Sequence, residues 1–160
     1  MDELPIELLH VIASFDQGAY RALLAIPFFA RSLDPNIRTN YMIEFGYSVK
    51  ITGDFIEWYR NGECHRDNGP AMEHVDGTKQ WYRNGAVHRE NGPAIEYFSG
   101  SKHWYRNGER HREDGPAIEY SDGDKCWYLN GKRHREDGPA IERANGHKVW
   151  YLNGEVVDPF

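Results

Sequence analysis

The chain has 160 residues and a net charge of −6, and 14% of its residues are aromatic, including 10 Tyr and 5 Trp. Neither the first 50 residues nor the remainder is basic, which excludes binding to nucleic acid by backbone charge alone and argues against anionic membranes. The length allows one domain, or a small one joined to a repeat array, and the ring-rich, aliphatic-poor composition suits rings packed on sheet faces better than a deep globular core.

Residues 1–50 carry a helical period. Leu4, Leu8, Leu9 and Ile12 recur at helical spacing, with Pro5 in the first turn, where its missing N–H does no harm. Asp16 and Gly18 interrupt the pattern, and a second helix carrying Tyr20, Leu23 and Leu24 runs to Pro27. Phe28-Phe29-Ala30-Arg31 reads as a further turn. After Asp34-Pro35 the spacing predicts a last helix over 37–45, closed by Gly46. Helices this short cannot cover their own Leu, Ile and Phe, so the head is expected to dock on the repeat sheet or on another protein.

Leu4-Pro5, Glu7-Leu8-Leu9, Ile12 and Phe15-Asp16, followed by Tyr20, Leu23, Ile26 and Phe29, resemble an F-box. The resemblance implies docking to the Skp-type adaptor of cullin ubiquitin ligases through Leu4, Pro5, Leu8, Leu9, Ile12, Leu23 and Ile26. No apolar run has transmembrane length, and acids stand at the N-terminus where a signal peptide has bases, so the chain is not expected to be secreted. Cys64 and Cys126 fall at different positions of different repeats and are predicted to be too far apart to bridge, which suits a reduced, intracellular protein.

From residue 51 onward the period changes to 23 residues. Trp58, Trp81, Trp104, Trp127 and Trp150 keep that spacing without a slip. Asn-Gly recurs at 61–62, 84–85, 107–108, 130–131 and 153–154, His-Arg at 65–66, 88–89, 111–112 and 134–135, and Gly-Pro-Ala from 69, 92, 115 and 138. In one unit, residues 102–106 read as a strand ended by the Asn107-Gly108 turn, and residues 116–120 as a second strand. Ser121-Asp122-Gly123 then makes a three-residue hairpin loop.

That loop predicts a register in which Tyr120 faces Asp124, Glu119 faces Lys125, Ile118 faces Cys126, and Ala117 faces Trp127. The Glu–Lys pairing recurs as Glu73/Lys79, Glu96/Lys102 and Glu142/Lys148. Two strands per unit are the simplest even number, with 107–115 as a long turn. This gives about nine strands over roughly 40 Å, with successive Trp residues about 9–10 Å apart. Trp127, Lys125, Ala117 and Glu119 are expected on one face, and Tyr128, Cys126, Ile118 and Tyr120 on the other. Val157-Asp158 replaces His-Arg in the last unit, as a cap.

The unit resembles MORN repeats, 23-residue hairpins with an aromatic strand, an Asn-Gly turn and a closing Asp-Gly, over residues 54–154. This chain has His-Arg-x-x-Gly-Pro-Ala where that family has His-Gly-x-Gly, which marks a variant. An F-box-like head on MORN-like repeats is similar to a pairing carried by large DNA viruses of amoebae, which implies work in the host cytoplasm or in a virion.

His65, His88, His111 and His134 fall one per unit, too far apart to surround one zinc ion, and are expected to hydrogen-bond within the long turn. A catalytic site is one pocket, whereas His-Arg with its following acids recurs in four units, so no enzyme activity and no cofactor or metal are expected. The expected partner surface is the aromatic repeat face of Trp58, Trp81, Trp104, Trp127, Trp150, Tyr82, Tyr105 and Tyr128.

The predicted fold class is α+β. A short helical F-box-like head (1–50) is followed by an elongated single-layer antiparallel β meander of MORN-like hairpin repeats (51–160), with four full repeats and a terminal half repeat. The expected function is a non-enzymatic substrate adaptor that recruits a target protein to a host ubiquitin ligase. The alternatives are a structural scaffold of a virion and, opposed by the acidic charge, a lipid-binding protein.

Overall fold

The computed structural model describes residues 39–43 and 47–158, and every regular element in them is a β-strand. The adaptor-binding set (Leu4, Pro5, Leu8, Leu9, Ile12, Leu23, Ile26) lies outside the described residues, as do the helices predicted over the first 36 residues. Strands β1 (Thr39–Ile43), β2 (Tyr47–Ile51) and β3 (Phe55–Arg60) open the sheet, and β4 (Glu63–Cys64) folds back on the end of β3. Next come β5 (Met72–His74), β6 (Lys79–Gln80), β7 (Tyr82–Arg83) and β8 (Ala86–Val87). The pattern repeats as β9 (Ile95–Glu96), β10 (Lys102–His103), β11 (Tyr105–Arg106) and β12 (Glu109–Arg110). It repeats again as β13 (Ile118–Glu119), β14 (Lys125–Cys126), β15 (Tyr128–Leu129) and β16 (Lys132–Arg133). Strands β17 (Ile141–Glu142), β18 (Lys148–Leu152) and β19 (Glu155–Val157) complete the described chain.

One antiparallel sheet of 13 strands runs in the order β1-β2-β3-β5-β6-β9-β10-β13-β14-β17-β18-β19, with β4 beside β3. The pairs β7-β8, β11-β12 and β15-β16 form separate two-stranded ribbons. Each internal unit therefore has four short strands rather than two, and the long turn predicted over 107–115 contains the return strand of a ribbon. The tryptophan is the joint between the two layers. The Trp104 N–H donates to the Ala117 carbonyl in the main sheet at 2.8 Å, while its own carbonyl accepts from the His111 N–H at 3.2 Å. One peptide thus serves two layers, and the strand breaks at Trp81, Trp104 and Trp127.

The predicted register holds in the main sheet. Ile118 faces Cys126, Glu119 faces Lys125, and the equivalent Glu–Lys pairs recur at 73/79, 96/102 and 142/148. The ladder ends at Ile118↔Cys126, one residue short of the expected Ala117–Trp127 pairing, because the Trp127 N–H turns to the Ala140 carbonyl at 2.8 Å. The small residue beside the amides of Trp58, Trp81, Trp104 and Trp127 is therefore the alanine of the Gly-Pro-Ala that follows each. Ala71, Ala94, Ala117 and Ala140 are all fully buried, leaving no room for a larger side chain.

The helix predicted over 37–45 is not formed. Thr39–Ile43 is a strand, pairing with Tyr47–Ile51 from Thr39↔Ile51 to Ile43↔Tyr47, and β2 in turn pairs with β3. Thr39, Tyr41 and Ile43 alternate with Asn40 and Met42 as a strand does, and β1 and β2 satisfy backbone groups that would leave β3 as an open edge. The sheet thus begins ahead of residue 51.

Consecutive ribbons are tied by their backbones. The Gly108, Gly131 and Gly154 amides donate to the Val87, Arg110 and Arg133 carbonyls of the preceding ribbon at 2.9, 3.0 and 2.9 Å. The core lies where both layers meet. Ala117, Ile118, Cys126, Tyr128 and Ile141 cluster there, with Trp104, Val149 and Tyr151 packed against them. Ile118 and its cross-strand partner Cys126 are buried, while Lys125, next to Cys126 on β14, is exposed on the other face, as the period of a strand requires.

Candidate functional site

The Trp column does not present bare rings. The guanidinium of each His-Arg pair lies over the tryptophan of its own unit: Arg66 on Trp58 at 4.0 Å, Arg89 on Trp81 at 3.8 Å, Arg112 on Trp104 at 4.0 Å and Arg135 on Trp127 at 4.1 Å. The same guanidinium donates to the proline carbonyl of Gly-Pro-Ala and to the recurrent glutamate. For Arg112 these are the Pro116 oxygen at 3.2 Å and Glu119 Oε1 at 2.9 Å, and Nε donates to Asp114 at 2.9 Å. The glutamates predicted to pair with lysine thus bond to arginine in all four units. A Cβ on Gly115 would sit 3.0 Å from the Arg112 guanidinium carbon, which explains the glycine of Gly-Pro-Ala by close approach. Trp150, followed by Val157-Asp158, has no guanidinium over it among the described residues.

The histidines bond within their own turn, as expected, and also join that turn to the next unit. His88 Nδ1 lies 2.9 Å from Asn107 Oδ1 and accepts the Asn107 N–H at 3.1 Å, and Nε2 meets Glu90 at 3.3 Å. His65 and His111 hold Asn84 and Asn130 in the same way, and His134 accepts the Asn153 N–H at 3.1 Å. Each histidine therefore pins the Asn-Gly turn of the next unit. That turn needs positive φ twice (Asn107 at 51°, Gly108 at 85°), the geometry of a type I′ hairpin. Replacing the buried His88 by alanine orphans the Asn107 N–H and is expected to cost about 1–2 kcal/mol in urea unfolding. A change below a few tenths would show that the turn needs no lock.

The Tyr column is also engaged. Tyr128 is buried, with Arg110 and Arg133 5.4 and 5.9 Å from its ring centre and the Arg133 Nε donating to its hydroxyl at 3.2 Å. The Tyr105 hydroxyl accepts from Arg110 at 3.2 Å, and Tyr82 donates to Gln80 at 3.0 Å. Burial, with a smaller contribution from Glu57, pushes the Cys64 thiol up to about 11, and burial raises Cys126 too, so both are poorly reactive thiols. A groove of about 540 Å³ beside Trp104 is walled by Arg89, Arg112, Glu90 and Glu113, whose charges are already paired with one another's neighbours.

The rings that remain open lie elsewhere, at the hairpin tips of the main sheet. Phe98 is 76% exposed and Val75 70%, while Tyr97 and Tyr120 are 37% and 39% exposed. Phe98 and Val75 occupy the same register position of successive units, where later units have Ser121 and Ala144. The Phe98 ring lies over Gly77 of the preceding tip, and its N–H donates to Thr78 Oγ1 at 3.1 Å. Ser121 and Ala144 bond in the same way to Ser101 and Asp124. The signal was present in the sequence: in a repeat whose framework positions are filled identically, the positions that differ are free to serve something other than the framework.

Paired hairpins in register, units locked by His–Asn and Arg–Trp contacts, and a local patch of open rings define a tandem β-hairpin repeat protein. No protein-family model matches the chain, and no curated protein matches it.

Proposed function

We propose that the chain is a non-enzymatic substrate adaptor, with the F-box-like motif of Leu4, Pro5, Leu8, Leu9, Ile12, Leu23 and Ile26 taking a Skp-type adaptor and the repeat sheet taking a target protein. The observation that carries the second half is the tip patch of Val75, Tyr97, Phe98 and Tyr120. It is apolar and open, whereas Trp58, Trp81, Trp104 and Trp127 are only partly exposed and each has the guanidinium of its own arginine over the ring. The target site on this reading is the tip, and the Trp column is framework. The mechanism is proximity in a host cell, with no bond made or broken by this chain.

The test is a pull-down of the full chain with a Skp-type adaptor, beside Leu8→Asp/Leu9→Asp and Phe98→Asp. The double variant is expected to lose the adaptor and keep the target. Phe98→Asp is expected to keep the adaptor and lose about tenfold or more of the target, as removal of an aromatic anchor does, with an unchanged unfolding midpoint. No adaptor bound by well-folded wild-type chain would sink the adaptor role. A second reading, a structural spacer in a virion, is favoured by the unbroken inter-unit bonding from Cys64 to Gly154. Stoichiometric abundance in purified particles would select it.

A further inference from the structure

Beneath the exposed tips lies His103. It is 8% exposed, and neither ring nitrogen has a hydrogen-bond partner among the described residues. The ring stands edge-on to Tyr97 at 4.9 Å and to Tyr120 at 5.7 Å, with Tyr105 at 6.5 Å. In the other units the same register position holds Glu57, Gln80, Cys126 and Val149. Each of these is apolar or satisfied: Glu57 accepts from Lys50 at 2.8 Å, and Gln80 accepts from Tyr82 at 3.0 Å. A buried polar side chain with nothing to bond costs stability without return to the fold, so a purely structural account favours any of the other residues.

We propose that His103 is an acid-sensitive switch: protonation of its ring opens the Tyr97–His103–Tyr120 stack and loosens the tip that carries Phe98. The switch rests on the burial of His103 and its neighbours, and stands whether or not the tip binds a target.

The groups around the ring offer a proton no compensation. Just past β9 it meets Tyr97, while Glu96 points to the opposite face and is held by Arg89 at 2.8 Å. Just past β13 it meets Tyr120, while Glu119 is likewise turned away and held by Arg112 at 2.9 Å. Lys102 precedes it on the exposed face. From β11 comes Tyr105, and from β12 Arg110, whose guanidinium bonds the Tyr105 hydroxyl at 3.2 Å. Among the described residues the ring thus faces three phenols and a cation, and no carboxylate. Burial first, and the Arg110 charge second, hold the imidazole below its ordinary value of 6.5. A folded-state value below the unfolded one means the contribution to stability is whole above 6.5 and is lost as pH falls through that value toward the folded one. Below the folded value nothing further is lost.

The test follows urea unfolding of the full chain between about pH 7.5 and 5, with His103→Val and His103→Gln as references, since those side-chain types already stand at this position in other units. Relative to either variant, the wild-type folding constant is expected to fall by up to about tenfold per pH unit inside the window. Every other histidine is common to all three proteins, so its effect cancels in the comparison. Hydrogen exchange at Tyr97, Phe98 and Tyr120 is expected to accelerate in acid in the wild type alone. Parallel pH profiles in all three proteins would overturn the switch. If neither variant folds, a wild-type titration of the His103 ring signal by NMR decides: a midpoint at or above the ordinary value overturns the proposal, and one below it supports it.

Discussion

Replacing Arg112 by alanine is expected to destabilise the array by about 2–4 kcal/mol, far more than removal of a surface cation. The side chain is 21% exposed, and its guanidinium joins three groups from different parts of the unit: the Trp104 ring at 4.0 Å, the Pro116 carbonyl at 3.2 Å and Glu119 at 2.9 Å. The stacked contact contributes about 1–2 kcal/mol at this degree of burial. The two bonds contribute about 1–2 kcal/mol together once screening at the 37%-exposed Glu119 is allowed for. Lysine at this position keeps the charge but has neither the flat face for the ring nor a fork for two acceptors, so it is expected to recover less than half of the loss. Urea unfolding of Arg112→Ala and Arg112→Lys makes the comparison. A lysine variant as stable as wild type would show that charge alone holds the clamp, and an alanine variant within about 0.5 kcal/mol of wild type would show that the stack does nothing for stability.

That clamp marks the limit of what the sequence reveals. The pairings of Glu119 with Lys125 and Ile118 with Cys126 were readable because a three-residue loop fixes them and both partners sit within one hairpin. The break at Trp81, Trp104 and Trp127 was not. It depends on an amide bond to an alanine beyond the ribbon and on a carbonyl bond back to the histidine, two partners that no strand pattern links. The histidine bonds within the turn were legible, as in His88 to Glu90 and His111 to Glu113, but the second partner, the Asn-Gly turn of the next unit, is one that a single repeat cannot display. Arg112 bonds the neighbouring Asp114, as its local charges suggest, and its guanidinium also stands 4.0 Å over the partly exposed Trp104 ring, a contact that the local charge pattern does not display. The predicted helix over 37–45 gave way to a strand for a comparable reason: the local spacing of apolar residues carries no trace of the open edge of β3 that Tyr47–Ile51 and then Thr39–Ile43 complete.

Ile118→Ala carries the other large effect. Ile118 is the largest fully buried side chain among the described residues, and it faces His103 across one neighbouring strand and Cys126 across the other. Truncation leaves a cavity walled by Tyr128 and Ile141, and the expected cost is about 2–5 kcal/mol. The distribution of that loss matters more than its size. In a linear array each unit is stabilised only through its neighbours, so a weak internal interface divides the array into two shorter ones that unfold separately. Hydrogen exchange is expected to show lost protection at the Trp104 and His111 amides, which close on the Ala117 and Trp104 carbonyls, while the Trp58 amide, bonded to Ala71, keeps its protection. The urea transition should broaden in step. Ile141→Ala, one unit further along, removes the same chemistry from between Cys126 and Val149 and is expected to release the C-terminal strands while leaving the Trp104 amide protected. If both variants instead lose protection evenly from Trp58 to Trp150, the units fold as one cooperative block, and the His–Asn and Arg–Trp contacts couple them more tightly than nearest-neighbour stacking does.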